Sequence, residues 1–222
     1  MVGFAALARV DLGEVPYVEA VEAVEAVEAM SGWADECRAG GGDRLFLLSH
    51  PPVVTYGKRT DPADLPTPSA GLQVVAVDRG GQATYHGPGQ VVGYLVANVR
   101  ERGPADVVRW VEHGIVDALG ALGFTARRRD TEPGGPSLVG VWTADDLKVA
   151  SIGMRIRGGV STHGFAVDVD PDMAVYDHFV ACGMDGSMTS LRRIAEREGR
   201  LVPAEGEVRD APADALGARP NG

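Results

Sequence analysis

The run Arg79-Gly80-Gly81-Gln82-Ala83-Thr84-Tyr85-His86-Gly87-Pro88-Gly89-Gln90, followed at once by the apolar stretch Val91 to Ala97, constrains this chain more than any other segment. Four glycines and a proline in twelve residues suit neither a helix nor a regular strand, because glycine frees the backbone and proline removes a donor. The run therefore predicts a shaped loop. Its backbone N–H groups can approach a ligand closely, and Arg79, Thr84, His86 and Gln90 surround it with polar side chains. A glycine-rich hairpin between two core strands reads the same way at this point.

A chain of 222 residues fits one domain, with 45% hydrophobic and 23% charged residues as in ordinary globular proteins. No apolar run approaches the roughly 20 residues that span a bilayer, and Met1 to Val10 does not read as a signal peptide, so a cytoplasmic location is expected. A formal net charge of −10 argues against nucleic acid or an anionic membrane as partner. The two cysteines, Cys37 and Cys182, form neither a disulfide framework nor a metal-binding spacing, and the five histidines show no H-E-x-x-H pattern. No metal is expected.

The periodicity predicts an α+β fold, a single domain with a mixed, largely antiparallel sheet flanked by helices. Val15 to Met30, with its Val-Glu-Ala repeats, reads as a peripheral acidic helix ended by Gly32. Strands are expected over Arg44 to Ser49, Val53 to Gly57, Leu72 to Asp78, Val91 to Val99, Phe124 to Arg129, Leu138 to Thr143, Leu147 to Arg157 and Ser161 to Val169. The clearest helix runs from Ala105 to Leu122 and stops at Gly123. Pro171 to Val180 reads as a short helix or irregular turn, and Ser187 as the cap of a helix from Met188 to Glu198 closed by Gly199. The domain is expected to span residues 1–203, with 204–222, rich in Ala, Pro, Gly and Asp, frayed.

Lysine usage is telling, because Lys58 and Lys148 are the only lysines beside 19 arginines. Where any positive charge would serve, this sequence uses Arg, so a retained Lys can be there to give up a proton. Lys148 opens a strand in parity with Ala150, Ile152, Met154 and Ile156 and so starts on the apolar face. Its charge would favour the thiolate of a nearby cysteine, although a lysine at a strand end can also simply reach water with its ammonium. Cys182, in Ala181-Cys182-Gly183-Met184, is followed by a small residue near a helix start, which leaves room and free amides for a developing oxyanion. Cys37, in a Gly-rich stretch expected at the surface, is treated as incidental.

Four blocks, Arg79-Gly80-Gly81-x-x-Thr84-x-His86-Gly87-Pro88-Gly89-Gln90, Lys148-x-x-Ser151-Ile152-Gly153, His163-Gly164-Phe165-Ala166 and Cys182-Gly183, closely resemble the lipoyl(octanoyl) transferases. Ser49-His50-Pro51-Pro52-Val53-Val54-Thr55-Tyr56-Gly57-Lys58-Arg59 adds the family's H-P-P-V-x-T-x-G-x-R block, although an acidic residue is common there where Ser49 stands.

The resemblance implies a fold similar to biotin and lipoate protein ligases. It also implies transfer of an octanoyl group from octanoyl-acyl carrier protein to the lysine of lipoyl domains, those of 2-oxoacid dehydrogenase complexes and of the glycine cleavage H protein. Cys182 would carry the acyl thioester and Lys148 would move protons. Arg79, Gly80, Gly81, Gln82, Ala83, Thr84, Tyr85, His86, Ser151, Ile152, Gly153, Gly164, Phe165 and Ala166 would line the acyl-substrate site. No cofactor is implied, and no phosphate loop of the form G-x-x-x-x-G-K-[ST] is present. An ATP-dependent lipoate or biotin ligase on the same scaffold is the alternative reading. Lys58, Arg59, Arg155 and Arg157 are candidates for a basic patch that receives an acidic carrier protein.

Overall fold

The computed structural model describes residues 7–17, 29–184 and 186–220. The Val-Glu-Ala repeat falls almost wholly outside them. Beyond it, a helix α1 (Ala29–Arg38) runs through Gly32 rather than ending there.

The large sheet is built from β1 (Leu7–Glu14), β2 (Asp43–Ser49), β6 (Gln90–Asn98), β7 (Arg127–Arg128), β8 (Gly140–Trp142), β9 (Lys148–Arg157), β10 (Val160–Asp168) and β11 (Ala218–Pro220), in the order β11-β1-β2-β6-β10-β9-β8-β7. From β2 to β7 every pairing is antiparallel, and only β11/β1 and β1/β2 run parallel. A small sheet, β4-β3-β5, joins β3 (Val53–Tyr56), β4 (Gln73–Ala76) and β5 (Thr84–His86). The sequence expectation of a mixed, largely antiparallel α+β fold describes this arrangement.

One face of the large sheet packs on α2 (Pro104–Ala121), whose Val107, Val111, Ile115 and Leu119 recur every three or four residues and meet Leu45, Leu95, Ala150 and Val167. Pro104 starts the helix where its missing N–H costs nothing, and Gly123, at φ +82°, ends it. On the other face, Ala34 and Cys37 of α1 pack on Phe46, Leu48, Val92 and Tyr94. Helix α3 (Leu191–Glu198) is capped by Ser190, whose Oγ accepts from Arg193 N at 3.3 Å. The cap is thus three residues later than Ser187, because Ser187 to Thr189 are spent in an extended segment bridged to the start of β9.

The expectation that 204–222 frays is overturned through residue 220. Glu205–Ala215 forms a helix, α4, and Ala218–Pro220 is β11, parallel to Leu7–Arg9. Val208, Ala213 and Leu216 are buried in the main core, and Leu216 fits against α2 only because residue 114 is glycine, where a Cβ would collide with Leu216 Cδ2. Burying one valine and one leucine is worth about 1.5–3 kcal/mol each, enough to hold an Ala-rich helix that would not form alone. Among the described residues no helix is long and apolar enough to cross a membrane.

Candidate active site

The segment after Ala76 is more regular than its glycines suggest, since Thr84–His86 pairs antiparallel with β3. Its first half lies against the large sheet: Gly80 N donates to Met154 O at 3.0 Å, and the residue across from it is Gly153, where a Cβ would stand 2.9 Å from Gly80 O. That approach leaves Arg79 half-buried, and its guanidinium donates to Thr55 O at 2.9 Å, to Thr55 Oγ1 at 2.8 Å and to Gly80 O at 3.0 Å. The second half is fastened by Gly89, whose carbonyl accepts from Val169 N and Asp170 N.

Cys182 sits in a single tight turn, Ala181–Gly183, with a left-handed backbone at φ 56°, ψ 21°, a conformation that costs a non-glycine residue about 1 kcal/mol or more. Its N–H donates to Ala83 O at 2.8 Å, which ties the turn to the glycine loop. Gly183 follows at φ +70°, where a Cβ would collide with the Gln82 side chain. The amides of Cys182 and Met184 are both engaged, the latter to Ala181 O, so neither is free to meet an oxyanion.

Lys148, only 2% exposed, enters the site from β9. Three features hold it there. Its N–H donates to Ser187 O at 2.6 Å and its carbonyl accepts from Thr189 N at 2.9 Å, which clamps the strand beside the Cys182 turn. Its stem crosses Gly140 of β8, where a Cβ would collide with Lys148 Cε and stand 3.2 Å from Nζ. Its ammonium lies 5.4 Å from the centre of the Trp142 ring, a favourable cation–π position.

Burial opposes ionisation of the Cys182 thiol, but the Lys148 charge, hydrogen bonds from Ser151 and Lys148, and the charge of Arg79 together leave it below the usual thiol range. Ser151 Oγ lies 3.6 Å from Cys182 Sγ.

Cys182 opens into a narrow cavity of about 40 Å³. That is room for a few waters, so a longer ligand enters only if the lining side chains part. Arg79, Gly81, Gln82, Thr84, His86, Ser151, Ile152, Gly153, Gly164, Phe165 and Ala166 line it; Gly80, Ala83, Tyr85 and Lys148 do not. The lining also includes Tyr17, Tyr94 and His163.

His163 reaches the cavity from a left-handed backbone position, φ 61°, where pairing of β10 with β6 skips Thr162 and His163. His50, the histidine of the H-P-P-V-x-T-x-G-x-R block, packs 5.7 Å from His86 between ring centres; its Nδ1 donates to Val15 O at 2.7 Å and its Nε2 accepts from Tyr94 Oη at 2.8 Å. Burial pushes His50 and His163 down to about 4, and His86 well below its ordinary value, so all three imidazoles are neutral at pH 7. The Nδ1 atoms of His86 and His163 are buried without a hydrogen-bond partner. Tyr17 and Tyr94 carry no local motif, and their convergence with His50 follows from the tertiary fold.

Cys37 is buried at 1% exposure rather than on the surface, and its Sγ donates to Asp43 Oδ1 at 3.3 Å. Of the basic residues considered for carrier docking, Lys58 and Arg155 both pair with Asp78, at 3.4 and 2.8 Å, which neutralises part of that patch.

The family model of the lipoyl protein ligase A/B catalytic domain matches residues 26–203. An octanoyltransferase of Frankia casuarinae is 45% identical over 180 residues, 80% of this chain and 81% of that protein. An octanoyltransferase of a Mycobacterium species, strain KMS, is 40% identical over 221 residues, 94% of this chain and 84% of its own length. Among solved structures, a lipoate-protein ligase A bound with ATP superposes with a TM-score of 0.72 at 16% identity, over 100% of this chain and 89% of that one, a likeness of fold.

Proposed function

The chain belongs to the lipoyl protein ligase A/B catalytic domain family and is an acyltransferase of protein lipoylation; we propose that it moves an octanoyl group from octanoyl-acyl carrier protein to the lysine of lipoyl domains through a thioester on Cys182. The observation that carries this reading is the thiol of Cys182, which opens into the narrow cavity and is lowered by the buried charge of Lys148.

An ordinary thiol is only a few per cent thiolate at pH 7, and a neighbouring cation raises that fraction. In the first half-reaction the Cys182 thiolate attacks the thioester carbonyl of the donor. The bond from the carbonyl to the carrier sulfur breaks, and the departing thiolate takes a proton from the Lys148 ammonium. In the second, the amine of the acceptor lysine attacks the Cys182 thioester and gives a proton to the neutral Lys148 amine. The amide forms, and the Cys182 thiolate leaves beside a restored ammonium.

Thioester exchange is nearly balanced and amide formation from a thioester is downhill, so the sequence needs no nucleotide. Acceptors are the lipoyl domains of 2-oxoacid dehydrogenase complexes and the glycine cleavage H protein. A free Cys182 thiol fits the reducing cytoplasm.

Incubation with octanoyl-acyl carrier protein alone should add one octanoyl mass to Cys182, removable by hydroxylamine and absent in Cys182→Ser. A label that requires ATP would favour the ligase alternative, and a label on Cys37 would refute the assignment.

A further inference from the structure

Asp168, the last residue of β10, is a buried carboxyl that the reaction above never uses. Its Oδ1 accepts from Gln90 Nε2 at 2.7 Å, and Tyr176 Oη lies 3.2 Å from each carboxylate oxygen. No salt bridge reaches it among the described residues, nor does one reach Lys148. An asparagine would accept the same bonds without desolvating a charge, so hydrogen bonding alone does not account for a carboxyl here.

The topology brings the two unpaired groups together. Strands β9 and β10 are antiparallel neighbours whose last registered pair is Ala150 and Val167, so Asp168 follows opposite Val149; pairing of β9 with β8 skips Val149, a bulge that turns Lys148 to the face shared by Ser151 and Asp168. The positive charge of Lys148 acts on the Asp168 carboxyl, and Tyr176, which bonds that carboxyl, also feels the charge of Cys182.

We propose that Asp168 is a positioning residue of the Cys182–Lys148 pair: its carboxylate is the second anion that holds the Lys148 ammonium at the site. The inference rests on the acyl-transfer reading for its catalytic arm only. When Cys182 is acylated its negative charge is gone, and Asp168 is then the anion left to keep the ammonium in place until the acceptor lysine arrives. Burial pushes Asp168 up to about 7, against the hydrogen bonds of Gln90 and Tyr176 and the charge of Lys148, so its ionisation falls in the working range. The groups facing it are Lys148, Gln90, Tyr85 and Tyr176; those facing Cys182 are Lys148, Ser151, Arg79 and Tyr176.

The signs are fixed. A carboxylate disfavours the nearby thiolate and favours the nearby ammonium, so removing its charge lets the thiolate form at lower pH and the ammonium be lost at lower pH. Both limbs of a bell-shaped profile should therefore move the same way.

The test is Asp168→Asn in a Cys37→Ser background, with two readouts against pH: alkylation of Cys182 by iodoacetamide without substrate, and octanoyl transfer from octanoyl-acyl carrier protein to a lipoyl domain. The expected result is a shift of the alkylation midpoint, and of both limbs of the transfer profile, to lower pH by about one unit, a tenfold gain in alkylation rate on the acid side. A lower amplitude with unmoved midpoints would make Asp168 merely structural and overturn the proposal. Should Asp168→Asn fail to fold, Tyr176→Phe removes one donor from the carboxylate, raises the pH at which Asp168 ionises, and should move the alkylation midpoint down by less. An unmoved midpoint there also overturns it. A shifted alkylation midpoint in a protein whose parent transfers no octanoyl group supports the Asp168 assignment and removes the reaction assigned above.

Discussion

Of the two cysteines of this chain, Cys37 is buried and Cys182 half-buried, and both lie within reach of a charged side chain, yet they are opposites. Cys37 donates to the Asp43 carboxylate, and burial followed by that contact pushes its thiol up to about 11. Cys182 is half-buried and also desolvated, but its neighbours are Lys148, Ser151 and Arg79, and its thiol falls. Desolvation is common to the pair, so it cannot be what makes a thiol reactive. The sign of the nearest charge decides, and that sign is set by the strand order that lays the start of β9 beside the Cys182 turn.

The contrast is broken most directly at the sulfurs themselves. Cys182→Ser should lower octanoyl transfer by about 1,000-fold or more, since an alkoxide is not available at neutral pH, whereas Cys37→Ser should leave the rate within about twofold. Steady-state transfer to a lipoyl domain measures both, and equal losses would erase the distinction.

Removing the cation comes next: Lys148→Met should cut Cys182 alkylation at pH 7 by about tenfold or more and leave Cys37 as inert as before. Because the thiol of Cys182 is lowered and that of Cys37 raised, alkylation with rising pH should label Cys182 first and Cys37 only toward strongly alkaline solution. Peptide mapping at stepped pH values reads that order directly.

Gly140→Ala leaves both sulfurs and both charges in place but puts a methyl where the Lys148 stem passes, at a backbone of φ +139° that alanine adopts with strain. It should raise the alkylation midpoint of Cys182 and cost about 2 kcal/mol of stability, read by thermal unfolding, with Cys37 untouched. The smallest change is Ser151→Ala, which deletes one hydrogen bond to the thiolate and should slow alkylation about threefold to tenfold.

Much of this site could be read before the fold was known. Two lysines against many arginines marked Lys148, the Cys-Gly pair marked Cys182, and the glycine loop with Ser151 to Gly153 and Gly164 to Ala166 marked the walls of the cavity. Composition by itself marked Lys148, Cys182 and the glycine loop, whereas Ser151 to Gly153 and Gly164 to Ala166 were marked only by the resemblance of their blocks to a family. Tyr17 and Tyr94 were not legible, since nothing around an isolated tyrosine says which way the fold will turn it, and the block that holds His50 did not set it against His86.

The cap at Ser190 was missed because Ser187 offers the same side chain, and only the bridge from β9 to residues 187–189 keeps the helix from starting there. The C-terminal helix was missed for a different reason: its alanines bury little surface, and Leu216 at its end packs where Gly114 has no side chain.

That same ending has a consequence for handling the protein. The matched family region stops at residue 203, and β11 lies beyond it, zipped in parallel along Leu7 to Arg9. Trimming the chain at 203 would leave that margin of the sheet with a row of bare amides and carbonyls, next to the leucine and valine pocket vacated by α4. Such a rim recruits strands from other molecules, so a shortened version should be lost to precipitation while its catalytic cleft is still intact.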